Sequence, residues 1–160
     1  MANKCSVGGG TYTHDSVIDD MPPGSVDNIT QMFYAVGFGS VPSWLKPYAV
    51  LSNGEKMRVD LAKALLERDY VVFDEFTSVV DRTVAKTACM AVHKAIKHSP
   101  GKKFIAVSCH EDILEWLEPD WVFDTNEMRC FFGIRNAHKK NMPSEAVNAP
   151  NGRNLGVITI

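Results

Sequence analysis

Two continuous apolar runs separated by one amphipathic helix constrain this chain most. Tyr70-Val71-Val72-Phe73 and Phe104-Ile105-Ala106-Val107 are each short, rich in β-formers and followed by polar residues. Runs without alternation suit strands buried on both faces, as in a parallel sheet. Between them, Thr83 to His98 places Ala88, Val92, Ala95 and Ile96 at helical spacing, and Ser99-Pro100-Gly101 ends the pattern. Strand, helix and strand make a βαβ unit with a right-handed crossover. The fold class that follows is α/β, with a mostly parallel sheet flanked by helices.

Ligands in such sheets bind outside the carboxyl ends of the strands. At those ends stand Asp74 and Glu75 after the first run, and Ser108 and His110 after the second. Adjacent acids can divide labour, one serving Mg²⁺ and the next an attacking water. A histidine beyond a strand end can hold a phosphate or a water. Upstream, Ser52 with Glu55 three residues later is a capping box, and Met57, Leu61, Ala64 and Leu65 continue it as a helix from Ser52 to Leu66. A helix start with small residues, here Asn53 and Gly54, is a ready anion site. An ordinary capped helix, an acidic turn and a structural histidine describe the same residues when each is taken alone.

Taken together, the segments resemble the second half of an ABC-type ATPase. Leu51-Ser52-Asn53-Gly54-Glu55 resembles the signature L-S-G-G-Q, and Met57-Arg58-Val59 with Ala62-Lys63-Ala64-Leu65 resembles the helix that follows it. Val71 to Glu75 is similar to the Walker B strand, Ser78-Val79-Val80-Asp81 to the D-loop, and His110 to the switch histidine. Val36-Gly37-Phe38 to Pro47 resembles the linker into the signature helix. The resemblance covers about Gln31 to Asp124. It implies a P-loop NTPase-like fold, ATP and Mg²⁺ as cofactors, Glu75 and His110 as catalytic residues, and Asp74 as the metal residue. It also implies nucleotide contacts from Ser52, Asn53, Gly54, Glu55 and Asp81. Gln31 stands where a Q-loop glutamine would lie, although an exposed helix glutamine fits it better. Asn53, Glu55 and Phe76 depart from the family's glycine, glutamine and proline.

No G-x-x-x-x-G-K-[ST] loop occurs in the 160 residues, so the domain reads as incomplete on its amino-terminal side. Ser6 to Thr11 is glycine-rich without the lysine, and reads as tail more readily than as a substitute for that loop. In ABC dimers one subunit's signature completes the other's nucleotide site. The resemblance therefore implies a protein partner or homodimer supplying a phosphate loop. A catalytically degenerate module that regulates or competes with a full ABC ATPase is the alternative. An incomplete sheet also leaves an edge and apolar surface for self-association or a partner.

The net charge of −2 gives no global basic signature for nucleic acid. Cys5, Cys89, Cys109 and Cys130 lack C-x-x-C spacing and read as reduced thiols, which with the lack of a signal peptide points to the cytoplasm. No run is long enough to span a membrane. Residues 1–25 are expected to be a disordered tail and residues 26–160 the partial domain. Within the latter we expect a short helix over Val26 to Val36 and an ordered loop from Gly37 to Val50, with Trp44 and Tyr48 as packing groups. A short helix over Asp112 to Leu117, a strand at Trp121 to Asp124 and an edge strand at Met128 to Ile134 follow. The basic residues Arg129, Arg135, His138, Lys139 and Lys140 read as a solvated edge. Leu155 to Ile160 is expected to pair as a last strand or to dock a partner.

Overall fold

A computed structural model of the chain describes residues 10–132 and 155–159. Five helices and five strands alternate along it: α1 (Val26–Ala35), α2 (Val41–Trp44), α3 (Asn53–Glu67), β1 (Tyr70–Phe73), α4 (Arg82–His98), β2 (Lys103–Ser108), α5 (Ile113–Leu117), β3 (Trp121–Asp124), β4 (Arg129–Phe132) and β5 (Leu155–Thr159). A 3₁₀ turn at Tyr48–Val50 leads into α3.

The strands form one mixed sheet in the order β1-β2-β5-β3-β4. β1, β2, β5 and β3 run parallel, and β4 returns antiparallel to β3. The domain is thus α/β, with its sheet flanked by helices. β5 was expected to pair as a last strand; it pairs at the centre, between β2 and β3. There Leu155 and Val157 are buried beside Phe104, Ala106 and Val122 in the core. Gly156 lets the Trp121 indole lie over the β5 backbone from the register position opposite it.

Strand alternation divides the sheet into two faces. Val71, Phe73, Phe104, Ala106, Val122, Phe131, Leu155 and Val157 form a buried face. Val72, Ile105, Val107, Trp121, Phe123 and Ile158 on the other are half-buried. β1 and β4 are the edges, and Tyr70 on β1 is exposed.

Each long helix has a sequence-encoded start. Ser25 accepts the Asn28 N–H at α1, Ser52 accepts the Glu55 N–H at α3, and Asp81 accepts those of Thr83 and Val84 at α4. At its other end α3 is closed by Lys102, whose Nζ donates to the Leu65 and Arg68 carbonyls at 2.8 and 2.5 Å. Burial pulls the Lys102 ammonium below its usual range, against the neighbouring Asp69 carboxylate.

The expectation of a disordered segment gives way over residues 10–25; residues 1–9 lie outside the described chain. Val17 and Met21 enter the core, and the Val17 and Ile18 N–H groups bond the Lys46 and Trp44 carbonyls. The buried Asp20 carboxylate gathers the Thr13 and His14 N–H groups and His14 Nδ1, closing residues 13–20 into a loop. Tyr12 stacks on Tyr48 at 3.9 Å between ring centres, and the two hydroxyls donate to opposite oxygens of Asp60, both at 2.7 Å. Polar and glycine-rich composition hid this arm because a few long-range contacts, not local pattern, hold it.

Trp44 is a packing group, as expected. It is buried against Phe33 and Tyr34, and its Nε1 donates to the Phe38 carbonyl. The expected loop from Gly37 to Val50 contains α2 and the 3₁₀ turn.

Candidate functional site

The parallel pairing of β1 with β2 sets Phe73 opposite Ala106, so the polar residues after both strands emerge at one sheet edge. The chain then turns sharply. Glu75 and Thr77 adopt positive φ values of 52° and 68°, which cost non-glycine residues energy and concentrate at functional sites. Phe76 anchors the turn between them. It is fully buried, packs edge-on against Phe73 and Phe104, and donates its N–H to the Val107 carbonyl at 2.8 Å. Asp74 and Glu75 are left exposed at the surface, and Asp74 Oδ1 accepts the Glu75 N–H at 3.0 Å. Phe76 thus serves as a hydrophobic pin.

Across from this turn, the buried Ser108 Oγ accepts the His110 N–H at 3.1 Å, which holds the backbone where the imidazole projects. His110 is half-buried and Cys109 beside it is exposed. The loop continues to Asp112, whose two carboxylate oxygens meet Nε and Nη2 of Arg82, the first residue of α4.

The start of α3 joins the same region. A methyl placed on Gly54 would stand 3.6 Å from Val80, in the turn between β1 and α4. Ser52 Oγ donates to Glu55 Oε2 at 2.8 Å, and the Ser52 N–H does so at 2.9 Å; Ser43 Oγ donates to Oε1 at 2.9 Å. These hydrogen bonds, the Ser52 backbone first, hold the Glu55 carboxyl below its usual range. Glu55 is therefore an ionised group already engaged at the helix start. Asn53 is exposed on the first turn. Asp81 is committed to capping α4, a role its place in the D-loop-like segment does not disclose.

Four segments thus meet at one edge: 52–55, 74–77, 78–81 and 108–112. Sequence reasoning singled out Ser108 at its strand end and Asp112 as a helix start, but not Ser43, Arg82 or the contact that joins Arg82 to Asp112. No local pattern marks Ser43 or the Arg82–Asp112 pair, because each is defined by a partner elsewhere in the fold; the Arg82–Asp112 contact crosses thirty positions. Two hydroxyls of the β1–α4 turn, Thr77 Oγ1 and Ser78 Oγ, are buried without a hydrogen-bond partner, as is Arg82 Nη1. Such orphans are rare in folded chains.

Two other candidates lie apart from this edge. Gly10 and Thr11, the described part of the glycine-rich run, pack on Lys63, whose Nζ donates to the Thr11 carbonyl at 2.9 Å. Lys63 is about 15 Å along α3 from the signature-like end, so these two residues do not replace a phosphate loop there. Gln31 is exposed on α1. Gly8, Gly9, Arg135, His138, Lys139, Lys140 and Ile160 lie outside the described residues.

Among the described residues no group of three or more His, Cys, Asp and Glu side chains is arranged to hold a metal ion. Magnesium commonly takes one or two carboxylates and fills its shell with water and phosphate. Asp74, exposed and with one oxygen already occupied, fits that smaller requirement. Among the same residues no helix is long and apolar enough to cross a membrane. No protein-family model matches the chain, and no curated protein matches it.

Proposed function

We propose that this chain is a P-loop NTPase-like domain of the ABC ATPase type, working in Mg²⁺-dependent ATP hydrolysis once a partner or second half supplies the phosphate loop. The observation that carries the reading is the meeting of the motif-like segments 52–55, 74–81 and 108–112 at the carboxyl end of the parallel strands of the mixed sheet. Separate motifs scattered over a surface would not support it. When bound, Mg-ATP supplies the γ-phosphoryl group and the cation that offsets its charge.

Glu75, exposed on a strained turn, orients the attacking water and accepts its proton. Asp74 serves the cation. His110, fixed through Ser108, contacts the γ-phosphate. Ser52, Asn53 and Gly54 present the α3 start to a phosphate held by a partner, while Asp81 fixes the D-loop-like turn beside them. This division predicts that Glu75→Gln stops hydrolysis while leaving Mg-ATP binding intact. Phosphate release and calorimetry on the full chain, alone and with its partner, check this; equal turnover in the variant refutes the role of Glu75.

One observation favours a second reading. Glu55 fills the anion-attracting start of α3 with its own carboxylate, and Ser52 is engaged by it. A helix start closed in this way suits an ABC-like module that binds a full ABC ATPase without turning over ATP. Turnover that is absent from the complex, and indifferent to Glu75→Gln, separates this reading from the first.

A further inference from the structure

Asp112 stands immediately before α5, where an aspartate ordinarily caps the helix, yet its side chain makes no capping bond. Both its oxygens go to Arg82 instead, in the two-pronged geometry particular to arginine and carboxylate. The Arg82 guanidinium also lies 5.4 Å from the centre of the Trp116 ring, and Trp116 belongs to α5. Arg82 therefore grips both the loop that carries His110 and the helix behind it. On its own side, Arg82 opens α4 directly after the turn that carries Glu75. A backbone bond also joins the two loops, from the Phe76 N–H to the Val107 carbonyl, and within the second loop the His110 N–H bonds Ser108 Oγ.

We propose that Arg82 and Asp112 form a positioning bracket that sets the spacing between the Glu75 turn and the His110 loop. This rests on the reading of Glu75 and His110 as the working pair. Neither bracket residue touches the reacting groups; each acts through the loop it holds. Without the bracket, residues 109–112 shift relative to the β1–α4 turn, and the hydrolytic geometry is lost while the fold remains. Lysine at position 82 keeps the charge but not the fork, so it does not substitute.

The test uses the full chain and five forms: wild type, Arg82→Lys, Arg82→Ala, Asp112→Asn and the exchange of Arg82→Asp with Asp112→Arg. Two readouts need no nucleotide: amide hydrogen exchange over residues 109–112, and the ring resonance of His110 against the other four histidines. We expect exchange to quicken by about tenfold in the three single variants. The His110 resonance should shift while the others stay. The exchanged pair should return both readouts toward wild type. A purely electrostatic influence would instead move His110 oppositely in the exchanged pair, and that outcome overturns the bracket. So do wild-type exchange and resonance in folded Asp112→Asn and Arg82→Lys. Asp112→Asn and Arg82→Lys keep side-chain size, so the test stands if Arg82→Ala fails to fold. Where Mg-ATP turnover is measurable, kcat should fall with KM unchanged. Absence of Mg-ATP binding and turnover in the chain and its complexes refutes the ATPase reading, while the two nucleotide-free readouts still judge the bracket.

Discussion

Replacing Gly156 by alanine tests the central placement of β5. The new Cβ would stand 2.1 Å from Cζ2, 2.2 Å from Cε2 and 2.7 Å from Cη2 of Trp121. Ordinary carbon contacts begin near 3.4 Å, so the indole must move by more than an ångström or swing away from the sheet. Overpacking of this kind costs about 1–3 kcal/mol. Swinging out exposes on the order of 100 Å² of ring, worth about 2.5 kcal/mol at ~25 cal/mol per Å². The lower backbone entropy of alanine in the unfolded chain offsets about 0.4–1 kcal/mol. A net loss of about 1–2.5 kcal/mol remains, or roughly 2–10 °C in Tm for a chain of this size. Thermal melts of wild type, Gly156→Ala, Trp121→Leu and the double variant form a cycle. In the Trp121→Leu background the glycine substitution should cost under about 0.5 kcal/mol, because the obstructing ring is gone. An unchanged Tm in Gly156→Ala, or an equal loss in both backgrounds, refutes the pairing of β5 with β3 in this register.

Three further outcomes follow from contacts distant from the candidate site. Lys102→Met removes the donor to two carbonyls at the end of α3, Leu65 and Arg68, and should cost about 1–2 kcal/mol in a thermal melt, whereas Lys94→Met on an exposed stretch of α4 should cost little. Tyr12→Phe deletes one donor to Asp60 and should lose about 1.5–3 kcal/mol; amide exchange at Val17 and Ile18 shows whether the arm loosens with it. The arm should also depend on pH in two directions. The hydrogen bond to Asp20 raises His14, so its contribution is complete below the usual imidazole range and fades as pH rises through the raised value. Burial pushes the Asp20 carboxyl up, but hydrogen bonds from Thr13 and His14 outweigh it and hold it low. Its contribution is present above the usual carboxylate range and fades as pH falls through that low value. Val17 protection should peak between the two, and His14→Ala should remove the alkaline loss and lessen the acid one, because the imidazole also helps hold Asp20 low. Identical profiles in both proteins would overturn this account.

The legible parts of the chain were those governed by neighbours in sequence. The runs at Tyr70 and Phe104 and the helix between them needed only periodicity. The Ser52–Glu55 capping box needed only spacing, and it formed with both of its reciprocal bonds. The candidate edge was legible to the same extent, since Asp74, Glu75 and His110 follow directly from strand ends. What escaped was set by partners far along the chain. Val17 and Asp20 sit in a polar stretch whose burial depends on Lys46, Trp44 and His14. Asp60 is an ordinary helix aspartate until two tyrosines from elsewhere close on it, where burial pushes its carboxyl up despite their hydroxyls. Asp112 matches a helix cap in sequence, but the contact with Arg82 takes it. The short β5 run carries strong β-formers, yet nothing local distinguishes a central strand from an edge.

Because β5 follows both of its neighbours in the chain, the sheet closes out of order. β1 can pair with β2, and β3 with β4, as soon as each has been made. Those two halves then wait, each presenting an open edge, at β2 and β3, until a strand from much later in the sequence fills the gap. Long-range closure of this kind slows folding, and unpaired inner edges invite pairing with other chains. The interval before β5 arrives is when this protein would be most exposed to misassembly during synthesis.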